Sequence, residues 1–256
     1  MGSVIFIGAG PGAGDLITLR GARKLAQAQV VLFDALVDPA LRELAPSALW
    51  VKVGKRGFSH STGQAAINAL LVKHAMASHI VVRLKGGDPS IFGRLEEEIE
   101  ALAAAGIECE VVPGVTAALA AAAATRRPLT RRGRGRSVSL STAMTLEQQV
   151  HASRSADTEV FYMAGRQLAA LARRLLAAGW LADAPVSVVS RAGWPDELQS
   201  DHSLSSLGQA SLLHSGRPSV VIVGAGAASL NAKTQAVAAS TRRSANLARR
   251  MATTKP

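Results

Sequence analysis

Two glycine-bearing segments hold the residues best suited to chemistry. The run RLKGGDPSIFGR, Arg83 to Arg94, follows an apolar stretch and leads into Glu96-Glu97-Glu98. Gly86 and Gly87 bare the backbone for close approach to a ligand, Asp88 can accept from hydroxyl or amino groups, and Pro89 fixes the chain's exit. A helix dipole accounts for the glutamates at a helix start but not for the paired glycines. The second segment, Gly8 to Gly14, lies between a strand and a helix, and Gly8, Gly10 and Ala13 satisfy the spacing G-x-G-x-x-G/A. Asp34, at the end of the next strand, takes the place of a ribose-binding carboxylate. An NAD-dependent oxidoreductase is one reading of these residues. Pro11 weighs against it, because it removes a backbone donor from the turn, and Gly14-Asp15 displaces the helix start. A purely structural glycine turn is the other reading.

The remaining polar residues carry less. The histidines lack ligand spacing and Cys109 is the single cysteine, so no metal site is expected. Ser59-His60-Ser61 has no nucleophile elbow beside it and reads as a loop. The formal net charge of +11 admits a nucleic-acid partner, an anionic small molecule or plain surface composition. The RRGRGR run from Arg131 to Arg136 lacks interleaved aromatics, which disfavours nucleic acid.

The elements that must position these groups follow a βαβ rhythm. Val4–Ile7, Val30–Phe33 and Ile80–Arg83 read as short β-branched strands, with helices over Arg20–Ala28, Gln64–Ala77 and Glu96–Ala105 and a returning strand at Ile107–Val112. An alanine-rich helix follows Pro113-Gly114. Strands resume at Ser137–Ser141, Glu159–Met163, Val186–Ser190 and Ser219–Val223, with a helix over Gln167–Ala178. The predicted fold is α/β: two α/β domains with mainly parallel sheets and a cleft between them. The N-terminal domain spans 1–113, an inter-domain helix and basic linker 114–136, the C-terminal domain 137–230, and a basic disordered tail 231–256. At 256 residues and 48% hydrophobic content the chain can bury such cores. No signal peptide and no apolar stretch of roughly 20 residues is present, and a lone cysteine suits a reducing compartment, so a cytoplasmic, membrane-free protein is expected.

The segments GAGPGAGDLITLRG, FDALV, GKRG, RLKGGDPSIFGR, EEE, VVPGVTAA and RRPLTRRG, then TEVFYMAGR, APVSVVSRAGWPDELQ and GRPSVVIVG, occur in this order from about Val4 to Gly226. In this the chain resembles the uroporphyrinogen-III C-methyltransferases of the SAM-dependent tetrapyrrole methylase family. The resemblance implies a homodimer of two-domain subunits with S-adenosyl-L-methionine (SAM) in the inter-domain cleft and S-adenosylhomocysteine as product. It implies Pro11, Gly86, Gly87, Asp88, Ile91, Thr116, Ala117, Met163 and, less directly, Ala192 against the cofactor. It also implies Asp34 as proton acceptor and Lys55 as proton donor. The implied activity is transfer of methyl groups from two SAM molecules to C2 and C7 of uroporphyrinogen III, giving precorrin-2 for siroheme or cobalamin. For a substrate ringed by carboxylates, Arg83, Arg94, Arg131 and Arg132 are the binding candidates, with Arg134 and Arg136 behind them.

The chain departs from the family at Arg131, where most relatives carry histidine, and at Ser141-Thr142-Ala143-Met144, which replaces a T-G-H-like element. Ala192 stands where many relatives have glycine, with one extra residue before Gln199. These changes bear on substrate preference more than on fold. A sister methylase acting on a later corrinoid differs from this reading in substrate alone.

Overall fold

The computed structural model describes residues 2–53, 63–143 and 152–230. Lys55, Met144 and the tail from Asn231 lie outside the described residues.

The first half is an all-parallel sheet of β1 (Ser3–Gly8), β2 (Val30–Phe33), β3 (Leu49–Lys52), β4 (Ile80–Lys85) and β5 (Cys109–Val112), in the order β3-β2-β4-β1-β5. Its strands are short apolar runs because both faces are covered. Val4, Phe6, Leu32 and Val81 meet Ile67 and Leu71 of α2 (Gln64–Ala77) and Leu102 of α3 (Leu95–Ala104). The alternate residues Ile5, Ile7, Val31, Val82 and Leu84 meet Leu25 of α1 (Leu19–Leu25) on the other face. Neighbouring strands β1 and β4 therefore send their chains to opposite faces, which opens a crevice at their C-terminal ends.

The helix of alanines, α4 (Ala117–Thr125), lays Ala118, Ala120 and Ala121 on Val160, Val189, Val220 and Ile222 of the second sheet. Small side chains let the helix backbone come close to that sheet. The second sheet comprises β6 (Val138–Thr142), β7 (Thr158–Tyr162), β8 (Pro185–Ser190), β9 (Leu198–Ser203) and β10 (Ser219–Gly224), in the order β6-β7-β10-β8-β9. On its far face α5 (Leu168–Ala177) buries Leu168, Leu171 and Leu175. A 3-10 segment and the single-turn α6 (Ser211–His214) precede β10.

The expectation of mainly parallel strands needs correcting here, since only β6 and β7 pair in parallel and the other contacts are antiparallel. The crossover α5 does join two strands of the same direction, β7 and β8, but β10 inserts between them the opposite way. The turn after β8 is also too short for a crossover, so β9 must fold back antiparallel. The hydrophobic pattern predicts no strand at the edge positions β3 and β9. Both show exposed positions along their length and carry little of the apolar signal of a central strand.

Candidate active site

The crevice is closed by backbone meeting backbone. Gly10 and Gly87 exchange hydrogen bonds, with Gly87 N donating to Gly10 O at 2.7 Å and Gly10 N to Gly87 O at 3.3 Å. A Cβ at Gly8 would lie 2.5 Å from Gly114 Cα and 2.7 Å from Gly87 O, so the loops after β1, β4 and β5 touch only because glycine stands there. Asp88 ties the loops after β4 and β5 together: Oδ1 accepts from Ser90 N within its own loop and Oδ2 from Gly114 N, both at 2.8 Å. Its carboxylate thus braces the loop, with the remaining lone pairs left for a ligand. This pairing also removes the ground for a dinucleotide reading. The two glycine loops spend backbone donors on each other, and α1 begins only at Leu19, capped by Thr18.

The second half supplies the other wall. The carbonyl of Pro11 accepts from Trp194 Nε1 at 3.1 Å, and Trp194 stacks under the Arg191 guanidinium at 4.3 Å. Thr116 Oγ1 and the Tyr162 hydroxyl lie 2.7 Å apart. Met163, next to Tyr162, has a positive φ of 59° and is exposed, an unusual conformation for a non-glycine residue. The Tyr162 ring packs on Phe92, 5.0 Å between centroids, beside Ile91. Ala192 is buried against the α4 alanines. Contacts thus link Gly87 to Gly10, Asp88 to Gly114, Thr116 to Tyr162 beside Met163, and Pro11 to Trp194 in the loop that carries Ala192; Gly86, Ile91 and Ala117 are the chain neighbours of Gly87, Phe92 and Thr116. A cavity of about 770 Å³, bounded by Gly12, Asp38, Leu41 and Trp194, adjoins the Pro11–Trp194 contact and draws its lining from both halves.

Asp34 stands at the C-terminal end of β2 on the same rim, part-exposed, with Oδ1 accepting from Arg83 Nη2 at 2.6 Å. Arg83 requires a correction. As residue 83 of β4 it faces the same way as Val81, and it is buried to 2% exposure. Besides Asp34 it contacts Glu98 Oε1 at 3.2 Å and the carbonyls of Leu32 and Leu84. A guanidinium so occupied is not a free clamp for substrate carboxylates; it is a brace for Asp34. Lys85, two residues on, meets Glu98 Oε2 at 2.9 Å. Burial, and next the neighbouring Arg83 charge, hold its ammonium pKa below the ordinary value, against the pull of Glu98.

Arg94 is exposed just before α3 and doubly bonded to Glu97 at 2.7 Å, which raises its pKa further. Arg131 and Arg132 are not brought to the cofactor residues. They belong to a tight turn in which Arg131 N donates to Gly135 O at 2.7 Å, and Arg131 Nη2 donates to the Ala228 carbonyl. That turn is fastened by Arg136 N to Asp157 Oδ2, at the start of β7, whereas Met163 follows the end of the same strand. The arginine run is thus an ordered turn a strand length from the cleft and does not line the cofactor site. Among the described residues no group of three metal-ligating side chains occurs, and no helix is long and apolar enough to cross a membrane.

Sequence reasoning missed Glu98, Tyr162 and Trp194 as parts of this site. In sequence Glu98 reads only as a helix-start charge, fifteen residues from Arg83 and with no local sign of their contact. Tyr162 is the single tyrosine, sitting one residue before Met163. Trp194 occupies the loop where the chain departs from the family spacing.

Residues 3–208 match the model of the Tetrapyrrole (Corrin/Porphyrin) Methylases. Over 232 residues the chain is 43% identical to a uroporphyrinogen-III C-methyltransferase of Pseudomonas aeruginosa, covering 87% of this chain and 93% of that one. A solved uroporphyrin-III C-methyl transferase of Thermus thermophilus, complexed with S-adenosylhomocysteine, has a TM-score of 0.77 at 36% identity, covering 87% of this chain and 97% of that one. A solved cobalt precorrin-4 methyltransferase has a TM-score of 0.78 at 28% identity, covering 89% and 96%. With a family model spanning most of its length, this chain belongs to the tetrapyrrole methylase family.

Proposed function

We propose that this protein is a SAM-dependent uroporphyrinogen-III C-methyltransferase, adding methyl groups at C2 and C7 to give precorrin-2 for siroheme or cobalamin synthesis. The observation that supports the reading is the meeting of the Gly8–Gly12, Gly86–Asp88 and Gly114–Ala117 loops, the last of which reaches Tyr162, beside Met163, through Thr116. The residues suit the methyl donor. Gly87 has a φ of +72°, and a Cβ there would meet nothing nearer than Thr116 Cα at 3.9 Å, so space above the glycine backbone is open to a ligand. The exposed Met163 and part-buried Ile91 add apolar surface beside polar backbone.

When bound, SAM supplies an electrophilic sulfonium methyl, which an electron-rich pyrrole β-carbon can attack directly. The chain's task is then to align and to deprotonate. The loops after β1, β4 and β5 fix the donor. Asp34, held by Arg83 at the rim, takes the proton that the ring system loses once the carbon–carbon bond has formed. Glu98 keeps Arg83 in place from below. Lys55 is the family's proton donor position, and Arg94, exposed after the Gly86–Asp88 loop, is the remaining substrate candidate, which would have to exchange Glu97 for a substrate carboxylate. The reading includes a cytoplasmic homodimer, as the family resemblance implies.

The test is anaerobic incubation with uroporphyrinogen III and methyl-labelled SAM, followed by mass analysis of the tetrapyrrole. A product heavier by two methyl groups is expected. The likeness to a cobalt precorrin-4 methyltransferase makes a later corrinoid the second substrate to try. SAM binding with methylation of that corrinoid alone would replace the proposed substrate, and absence of SAM binding would refute the activity.

A further inference from the structure

Helix α4 opens in an unusual way. Thr116 occupies its N-cap position, with extended backbone angles, and threonine there ordinarily bonds the amide of the second or third helical residue. It makes no such bond. The amide of Ala118, the second helical residue, donates instead to the Tyr162 hydroxyl at 3.3 Å, and the same hydroxyl shares a 2.7 Å hydrogen bond with Thr116 Oγ1, in which either oxygen can donate. A tyrosine from the second sheet has taken over the capping of a helix that starts in the cofactor cleft.

The ring of Tyr162 is equally engaged. It packs on Phe92, 5.0 Å between centroids, in the segment that follows the Gly86–Asp88 loop. Phe92 itself has a left-handed φ of 52°, and so does the residue after Tyr162, Met163, at 59°. Side chains held in that region persist only where the surroundings fix them. One half-buried side chain thus touches or adjoins three separate stretches of the cleft: 91–92, 116–118 and 163.

We propose that Tyr162 is a positioning residue for the methyl donor, setting the start of α4 and the Phe92 segment against Met163 through its hydroxyl and its ring. The inference rests on the cofactor lying in this cleft. Freeing the hydroxyl lets Thr116 turn back onto its own helix, which withdraws it from the ligand side and loosens the Ala117 backbone. The stability cost is small because Thr116 can then cap α4 itself; the cost falls on ligand affinity.

The experiment is a double-mutant cycle on S-adenosylhomocysteine binding by calorimetry, using the full chain, Tyr162→Phe, Thr116→Val and the pair, with KM and kcat for SAM measured alongside. Each single variant is expected to weaken binding by about three- to tenfold, the range one hydrogen bond commands. The pair should lose less than the sum of the two single losses, because both variants break the same Thr116–Tyr162 contact. KM for SAM should rise with kcat changing less, and the Ala118 amide should exchange faster with solvent in Tyr162→Phe. Unchanged affinity in Tyr162→Phe, or losses that simply add in the pair, would overturn the proposal while leaving the cofactor assignment intact. Failure of the unaltered protein to bind S-adenosylhomocysteine overturns both, and places the fault in the functional reading.

Discussion

Each half of the molecule buries a polar cluster beneath the loops of the cleft, and the two are built on different chemistry. Under the first sheet's rim, Arg83, Lys85 and Glu98 are all buried and Asp34 completes the set at the surface, an ionic cluster of two cations and two carboxylates. At the end of β8, the buried His214 bonds Ser190 Oγ through Nδ1 at 2.7 Å and Ser200 Oγ through Nε2 at 2.8 Å. His202 joins Ser200 from one side, and Arg217, itself held by Asp196, joins Ser190 from the other. This second cluster braces the 191–197 loop that carries Ala192 and Trp194. The first uses charge to hold a carboxylate that must face substrate; the second uses a neutral imidazole as a two-ended hydrogen-bond bridge. The imidazole bridge depends on His214 staying unprotonated, because one ring nitrogen must accept.

The largest effect expected from this contrast is at Glu98. Glu98→Gln leaves Arg83 and Lys85 buried with one carboxylate fewer, and removing one partner of a buried ion pair costs about 3–5 kcal/mol. Urea unfolding of the variant should show a loss of that order, together with reduced kcat as Asp34 loses its braced partner. A loss below about 1 kcal/mol would mean that water, or the amide oxygen that Glu98→Gln retains, already satisfies the cations. The ionic cluster would then be a weak brace and the comparison would lose its first term.

The second cluster is tested by acid. Burial, then the nearby His202 and Arg217 charges, hold the His214 pKa below its ordinary value. The unfolded imidazole therefore takes up a proton at a pH where the folded one does not. The stability this gives is fully present above the free imidazole's pKa of about 6.5 and is lost as pH falls from there toward the lower folded value, by at most about 1.4 kcal/mol per pH unit. The melting temperature should fall from pH 7 to pH 5, and His214→Asn, less stable at neutral pH, should show a flatter fall. Equal slopes in both proteins would assign the acid sensitivity to other groups.

The two clusters also mark where sequence reading succeeds and where it stops. Central strands were legible because burial on both faces forces contiguous apolar residues: Val30–Phe33 and the helix Gln64–Ala77 fall where the pattern put them. The loop ends with glycine were legible because few residues other than glycine let three backbones meet. What stayed hidden depends on direction and distance. Arg83 reads as a clamp in sequence, but strand alternation turns it inward under Glu98, fifteen residues away in the chain. Arg131 reads as cleft lining, yet β7 separates its turn from Met163. The antiparallel placing of β10 and the cap that Tyr162 gives to α4 arise from contacts between distant segments, for which no local spacing stands as a sign.

Trp194 gives the smallest and most specific probe, because it connects the loop braced by the second cluster to the glycine loop of the first sheet. Its indole donates to the Pro11 carbonyl, and its ring covers Gly12, where an added Cβ would collide with it. Trp194→Phe removes the donor while keeping a ring beneath Arg191, and is expected to weaken S-adenosylhomocysteine binding by about two- to fivefold, the share of one net hydrogen bond acting through Pro11. Gly12→Ala should mimic it by pushing the indole away, and the pair should lose little more than either alone, because one contact is at stake. The effect should also deepen in acid, where protonation of His214 would loosen the 191–197 loop, so that acid and Trp194→Phe act on a shared element. An affinity that tracks pH identically in wild type and variant would separate the two, leaving the histidine cluster as a brace for stability alone and Trp194 as an independent clasp between the halves.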